Sequence, residues 1–173
     1  MTDETKSLEG RTIVTAVVGD DIHVMGIRLV EHALRSAGAN VVSLGVMTPV
    51  PEVVEAAIET AADAVVISSS NGHAAMFCDG IRDAFTEAGF ADMPLYIGGN
   101  LAVGRRPWEE VEAEFRTLGF SRAFEPRKFN SSMQTAIAIM HMNTVMNQAC
   151  PSIRRRSYQR AKPRRRMLSA GSM

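Results

Sequence analysis

Five times along the chain a short apolar run rich in β-branched residues stands apart from the next by a segment with helical spacing, and this alternation limits the fold more than any single motif. TIVTAVVG, Thr12 to Gly19, is apolar on both faces, as a strand must be when helices cover both sides of its sheet. NVVSLGV (Asn40–Val46), DAVVISSS (Asp63–Ser70), PLYIGGN (Pro94–Asn100) and the shorter SRAFEP (Ser121–Pro126) have the same character. The spacing predicts helices over Val24–Ala37, Pro51–Ala62, Asp79–Ala88, Trp108–Leu118 and Asn130–Asn147. Proline sits at or before the first turn of two of them, and Gly38, Gly89 and Gly119 follow three, where a left-handed cap is expected.

The expected fold is α/β: a doubly wound, five-stranded parallel sheet of the flavodoxin-like kind with strand order 2-1-3-4-5. In such a sheet ligands bind beyond the carboxyl ends of the strands, where the order reverses. That rule selects GDDIHVMG after strand 1, SSSNGH after strand 3 and GGN after strand 4.

With 173 residues, 46% of them hydrophobic, one compact domain is expected, over residues 11–149. Residues 1–10 read as an N-terminal extension and residues 150–173 as a basic tail without the apolar periodicity of a packed segment, hence disordered. The tail carries 8 of the 19 basic residues, leaving residues 1–150 with 11 basic against 19 acidic. An acidic body is a poor binder of nucleic acids and membranes, so neither partner is expected of it. No apolar stretch approaches the roughly 20 residues of a membrane span, and MTDETKSLEG lacks the character of a secretory signal, so a cytoplasmic location is expected. Cys78 and Cys150 form neither a disulfide framework nor a zinc motif.

Singly, the residues of the three loops have ordinary explanations: Asp21 as a helix cap, Gly26 as a packing glycine, His23 as a surface histidine. Together they point elsewhere. A metal-binding histidine usually gives its other ring N–H to a carboxylate, and Asp21-x-His23 supplies that pair. His32 belongs to the following helix, and His73 to a loop with no cysteine or acid at ligand spacing. One protein ligand fits a metal that arrives already held by a macrocycle, as in haem or cobalamin. Ser68, Ser69, Ser70, Gly72, Gly98 and Gly99 keep the strand ends free of bulk, leaving room for a long flat group.

From about Arg11 to Asn143 the chain resembles the small, cobalamin-binding subunit of glutamate mutase (methylaspartate mutase), a B12-binding family. Asp21-Ile22-His23-Val24-Met25-Gly26 matches its D-x-H-x-x-G, and Ser68 and Gly98-Gly99-Asn100 match its later motifs. The resemblance implies that His23 replaces the cofactor's own dimethylbenzimidazole as lower axial ligand of cobalt, with Asp21 hydrogen-bonded to it. It further implies a pocket beside the sheet for the displaced nucleotide tail, with Gly26, Ser68, Ser70, Gly98, Gly99 and Asn100 among the cofactor-binding residues. One departure stands out, because the family's S-x-L reads Ser68-Ser69-Ser70 here.

The implied cofactor is adenosylcobalamin, and the implied reaction the isomerisation of L-glutamate to threo-3-methylaspartate through an adenosyl radical. The implied partner is a large barrel-type catalytic subunit, in a heterotetramer, without which this subunit is inactive. The competing reading is a cobalamin module of another kind, a corrinoid carrier for methyl transfer or a cobalamin-dependent sensor, whose likeness is less close over GGN and the C-terminal segments. A response regulator fits poorly, since strand 3 ends in serine where that family has its phosphorylated aspartate, and strand 5 ends in Glu125-Pro126 without the expected lysine. A flavodoxin fits no better, because the acids after strand 1 would repel a phosphate.

Overall fold

The structure, a computed structural model, describes residues 8–125. The elements run β1 (Thr12–Val17), α1 (Val24–Ser36), β2 (Asn40–Ser43), α2 (Val50–Glu59), β3 (Ala64–Ser69), α3 (Ala74–Phe77), α4 (Ile81–Glu87), β4 (Leu95–Gly99), α5 (Trp108–Thr117) and β5 (Arg122–Phe124). The five strands form one sheet in the order β2-β1-β3-β4-β5, every neighbouring pair parallel. The doubly wound, flavodoxin-like order expected from the alternation is therefore the one observed. Among the described residues no helix is long and apolar enough to cross a membrane.

The sheet divides the core in two. On one face Ile27, Val30 and Leu34 of α1 pack with Leu8, Ile13, Val17, Val66 and Tyr96. On the other, Val53 and Ala57 of α2, Ile81 and Phe85 of α4, and Val111 and Phe115 of α5 cover Val14, Val65, Ile67 and Leu95. Each large side chain so buried contributes about 1.5–3 kcal/mol, and the rings of Phe115 and Phe120 add an edge-to-face contact at 5.6 Å.

The helix expected over Asp79–Ala88 begins only at Ile81, after Gly80 with a left-handed φ of 72°, and a further short turn that the sequence did not predict, α3, precedes it. Strand 2 is shorter than its apolar run and ends at Ser43. Gly38, Gly89 and Gly119 have φ of 91°, 87° and 91°, the expected left-handed caps. The helix expected over Asn130–Asn147, the tail and most of the N-terminal extension lie outside the described residues.

Candidate site at the carboxyl edge of the sheet

Strand register decides which loops meet. Val17, the last residue of β1, pairs with Ser68, and Ser68 and Ser69 pair with Gly98 and Gly99. The three loops selected from the sequence thus leave the sheet side by side.

Asp21 is the hub of the first loop. Its side chain is fully buried, whereas that of His23 is 62% exposed. Asp21 Oδ1 accepts the backbone N–H of His23 at 2.9 Å and lies 2.6 Å from His23 Nδ1. Its Oδ2 accepts the Ser69 hydroxyl at 3.2 Å and the backbone N–H of Ser70. Burial by itself would raise the Asp21 pKa, but the N–H groups of Ser70 and His23, the His23 ring and the Ser69 hydroxyl outweigh it, so the carboxyl lies below its ordinary value. A carboxylate there favours the imidazole tautomer with its proton on Nδ1, which leaves the Nε2 lone pair for a ligand. The helix-cap explanation of Asp21 covers only part of its role. His23 is the N-cap residue of α1 and its own side chain makes no cap hydrogen bond, while Asp21 accepts the His23 backbone N–H and also holds the His23 ring, Ser69 and Ser70.

The remaining predicted residues divide into those that make space and those that close the site. A Cβ on Gly26 would meet only the Ser68 hydroxyl, at 3.4 Å, so the gap between α1 and β3 is one missing side chain wide. Ser68 is 1% exposed at the end of β3. Gly99 has φ 119°, and a Cβ there would stand 2.0 Å from the Ser69 carbonyl oxygen, a position open only to glycine. Gly98 is buried in β4 beside Ser68. Asn100 is exposed, and its carbonyl accepts the N–H of Gly72 at 3.1 Å, tying the third and fourth strand loops together. The Ser70 side chain is half-buried, and it is the main chain of this residue that reaches Asp21.

Ser69 and Asn71 escaped the sequence reading in these roles. Asn71 Nδ2 donates to Asp20 Oδ1 at 2.7 Å, while Asn71 Oδ1 accepts the His73 N–H at 3.0 Å and shares the one Ser69 hydroxyl proton, at 3.2 Å, with Asp21 Oδ2. The acid pair Asp20-Asp21 therefore clamps the loop after β1 to the loop after β3, a role whose only signal in the sequence is a run of serines and an asparagine opposite two acids. The segments that follow β1, β2, β3 and β4 also expose large apolar side chains: Ile22 (66%), Met25 (70%), Met47, Met76 and Val103. Among the described residues no three His, Cys, Asp or Glu side chains gather as a metal-binding group, so His23 would be a lone protein ligand.

The family model described as "B12 binding domain" matches residues 11–119. The glutamate mutase sigma subunit of Clostridium tetani is 41% identical over 119 residues, covering 69% of this chain and 87% of the relative. Glutamate mutase sigma subunit 1 of Haloarcula marismortui is 47% identical over 115 residues, covering 66% and 76%.

The chain belongs to the glutamate mutase sigma subunit family.

Within that family its likeness extends further along the Clostridium tetanomorphum sigma subunit, 39% identical over 133 residues and 95% of that protein. A cobalamin-binding protein from Desulfitobacterium hafniense shares the fold with a TM-score of 0.62 at 22% identity, over 79% of this chain and 59% of that one. The receiver domain of a response regulator from Mycobacterium tuberculosis also shares it, with a TM-score of 0.52 at 14% identity over 79% and 98%. Fold likeness at such identities does not carry function, and the receiver lacks support from the site, where β3 ends in Ser69.

Proposed function

We propose that this sigma-family chain is the cobalamin-binding subunit of a glutamate mutase, and that it holds adenosylcobalamin base-off with His23 Nε2 as the lower ligand of cobalt. One observation carries the reading: a fully buried carboxylate, Asp21, lies 2.6 Å from the inner nitrogen of a largely exposed histidine at the point where the strand order reverses. The donor set fits the group. A single imidazole suits a metal whose four equatorial positions are filled by a macrocycle, and the exposed Ile22, Met25, Met47 and Met76 suit the broad apolar body of a corrin. The gap opened by Gly26 over Ser68 suits the displaced nucleotide tail. When bound, the cofactor supplies the radical chemistry of the carbon-skeleton isomerisation.

This chain's residues hold and orient that cofactor. Asp21 fixes the His23 ring, and Ser69 and Ser70 fix Asp21. Among the described residues the arginines near this edge are poorly placed to clamp the two carboxylates of glutamate, since Arg28 is engaged by Glu31 at 3.0 Å, Arg106 by Glu114 at 2.7 Å, and Arg105 stands several residues beyond Gly98-Gly99-Asn100. A radical reaction also needs a chamber closed to water, which one open sheet edge does not provide. A large barrel-type subunit covering the edge supplies both in this reading, in a cytoplasmic heterotetramer, and the isolated chain has no mutase activity.

The test is electron paramagnetic resonance of the Co(II) form bound to the full chain. Coupling to a histidine nitrogen is expected, and it should vanish in His23→Ala. Coupling to the benzimidazole nitrogen in the native chain would overturn the ligation.

A further inference from the structure

The body's negative charge is unevenly neutralised. Residues 8–125 hold 17 acidic and 8 basic residues. On α1, Glu31 is paired with Arg28 and Arg35, and around α5, Glu112 is paired with Arg116 and Glu114 with Arg106. Helices α2 and α4 differ. Glu52, Glu55 and Glu59 on α2, with Asp83 and Glu87 on α4, enter no ion pair among the described residues, and α2 carries no basic residue at all. Between these helices runs a groove of about 560 Å³ whose floor is apolar, formed by Pro51, Val54, Ile58, Ala84 and Ala88, and whose rim is Glu55, Glu59 and Glu87.

The sequence contains a segment of the opposite character. After Pro151 there are eight basic residues and no acid, and Ile153, Tyr158, Met167 and Leu168 are spread among the arginines. We propose that this basic segment, residues 152–168, docks in the α2–α4 groove of its own chain. Its guanidinium groups meet the Glu55, Glu59 and Glu87 carboxylates, and its few apolar side chains meet the Val54–Ile58–Ala84 floor. By itself the segment has too little apolar surface to offset the entropy of ordering it, and a preformed groove with complementary charge supplies what it lacks. Arginine suits the role because its planar fork engages carboxylates in pairs. Reach is no obstacle: residues 126–151 could extend roughly 85 Å at about 3.3 Å per residue, several times the roughly 13 Å radius of gyration expected for a body this size.

The groove lies on the sheet face opposite α1 and draws on none of the residues assigned to the cobalamin site, so the docking stands or falls independently of the cofactor reading. The test uses the full chain. Lys162 is the only lysine after Pro151 and Glu55, Glu59 and Glu87 ring the groove, so zero-length carbodiimide coupling followed by mass spectrometry should join Lys162 to one of the three within a monomer. In amide-resolved nuclear magnetic resonance, replacing Arg154, Arg155, Arg156, Arg164, Arg165 and Arg166 by glutamine should shift the signals of Val54, Glu55, Ile58 and Glu87. Raising the salt to about 1 M should produce the same shifts, because it screens exposed charges. Linkage of Lys162 to acids of α5, linkage only between two copies, or a glutamine variant whose α2 and α4 signals match those of the native chain would each overturn the proposal.

Discussion

Asp21 Oδ1 lies 2.6 Å from the Nδ1 of His23, and the same carboxylate is held from across the sheet edge by Ser69 and Ser70, 48 and 49 residues further along the chain. The orientation of the exposed imidazole is thus set by a neighbouring strand as much as by its own loop. That gives Asp21 a positioning role.

Asp21→Ala should weaken cobalamin binding or turnover by about 10 to 100-fold, while histidine coupling stays detectable in the Co(II) spectrum. Asp21→Asn should recover part of the loss, since it keeps the shape and one acceptor. Wild-type affinity in Asp21→Ala would reduce the carboxylate to a structural tie between loops.

Ser69→Ala removes the one hydroxyl proton that Asp21 Oδ2 and Asn71 Oδ1 share, and because each acceptor keeps a backbone N–H, from Ser70 and His73, the cost should be about 0.5–1.5 kcal/mol. Thermal unfolding should show that cost. The affinity for cobalamin should fall less than in Asp21→Ala, because the Ser70 N–H remains on the carboxylate.

Gly26 and Gly99 should behave oppositely. Gly26 lies in α1 with ordinary room for a Cβ, so Gly26→Ala should leave the cofactor-free chain as stable or up to about 1 kcal/mol more stable. Cobalamin titration should nonetheless show weaker binding, as the methyl narrows the gap over Ser68. Unchanged affinity would remove the nucleotide tail from that gap.

Gly99→Ala places its methyl against the Ser69 carbonyl in a left-handed conformation, so denaturant unfolding should show a loss of at least about 2 kcal/mol. The damage should reach the site too, through Ser69.

Glu31, fully buried on α1, accepts the Thr15 hydroxyl at 2.8 Å and pairs with Arg28 and Arg35. Burial pushes its pKa up, but hydrogen bonds from Ser43 and Thr15 and the two guanidinium charges more than reverse that, leaving it below the ordinary value of 4.5. A depressed folded-state pKa means stability that is fully present above the unfolded value and is lost as pH falls through the folded one. Stability measured from neutral pH down through the acid range should therefore decline, and Glu31→Gln should flatten part of that decline. Thr15→Val should cost about 1–3 kcal/mol at neutral pH, by stripping a buried carboxylate of a donor.

The alternation of apolar and helical segments, the left-handed glycines after three helices, and the placing of Asp21 and His23 at a strand end were all legible in the chain, because each reflects burial or backbone sterics over a few residues. The sheet order was legible only as the usual arrangement for such an alternation, and the start of α4 after Gly80 was missed, since an isolated glycine inside a helical pattern is often tolerated. Ser69 and Asn71 gained their roles only when β1 and β3 paired and carried them to Asp20 and Asp21. Glu31 sits one residue from Val30 in the buried stripe of α1, and nothing in helical periodicity told which neighbouring strand would offer it a hydroxyl. Local pattern determined which residues stand at the carboxyl edge. Which of them hold one another there was decided by strand pairing, which joins residues some fifty positions apart and leaves no periodic trace in the sequence.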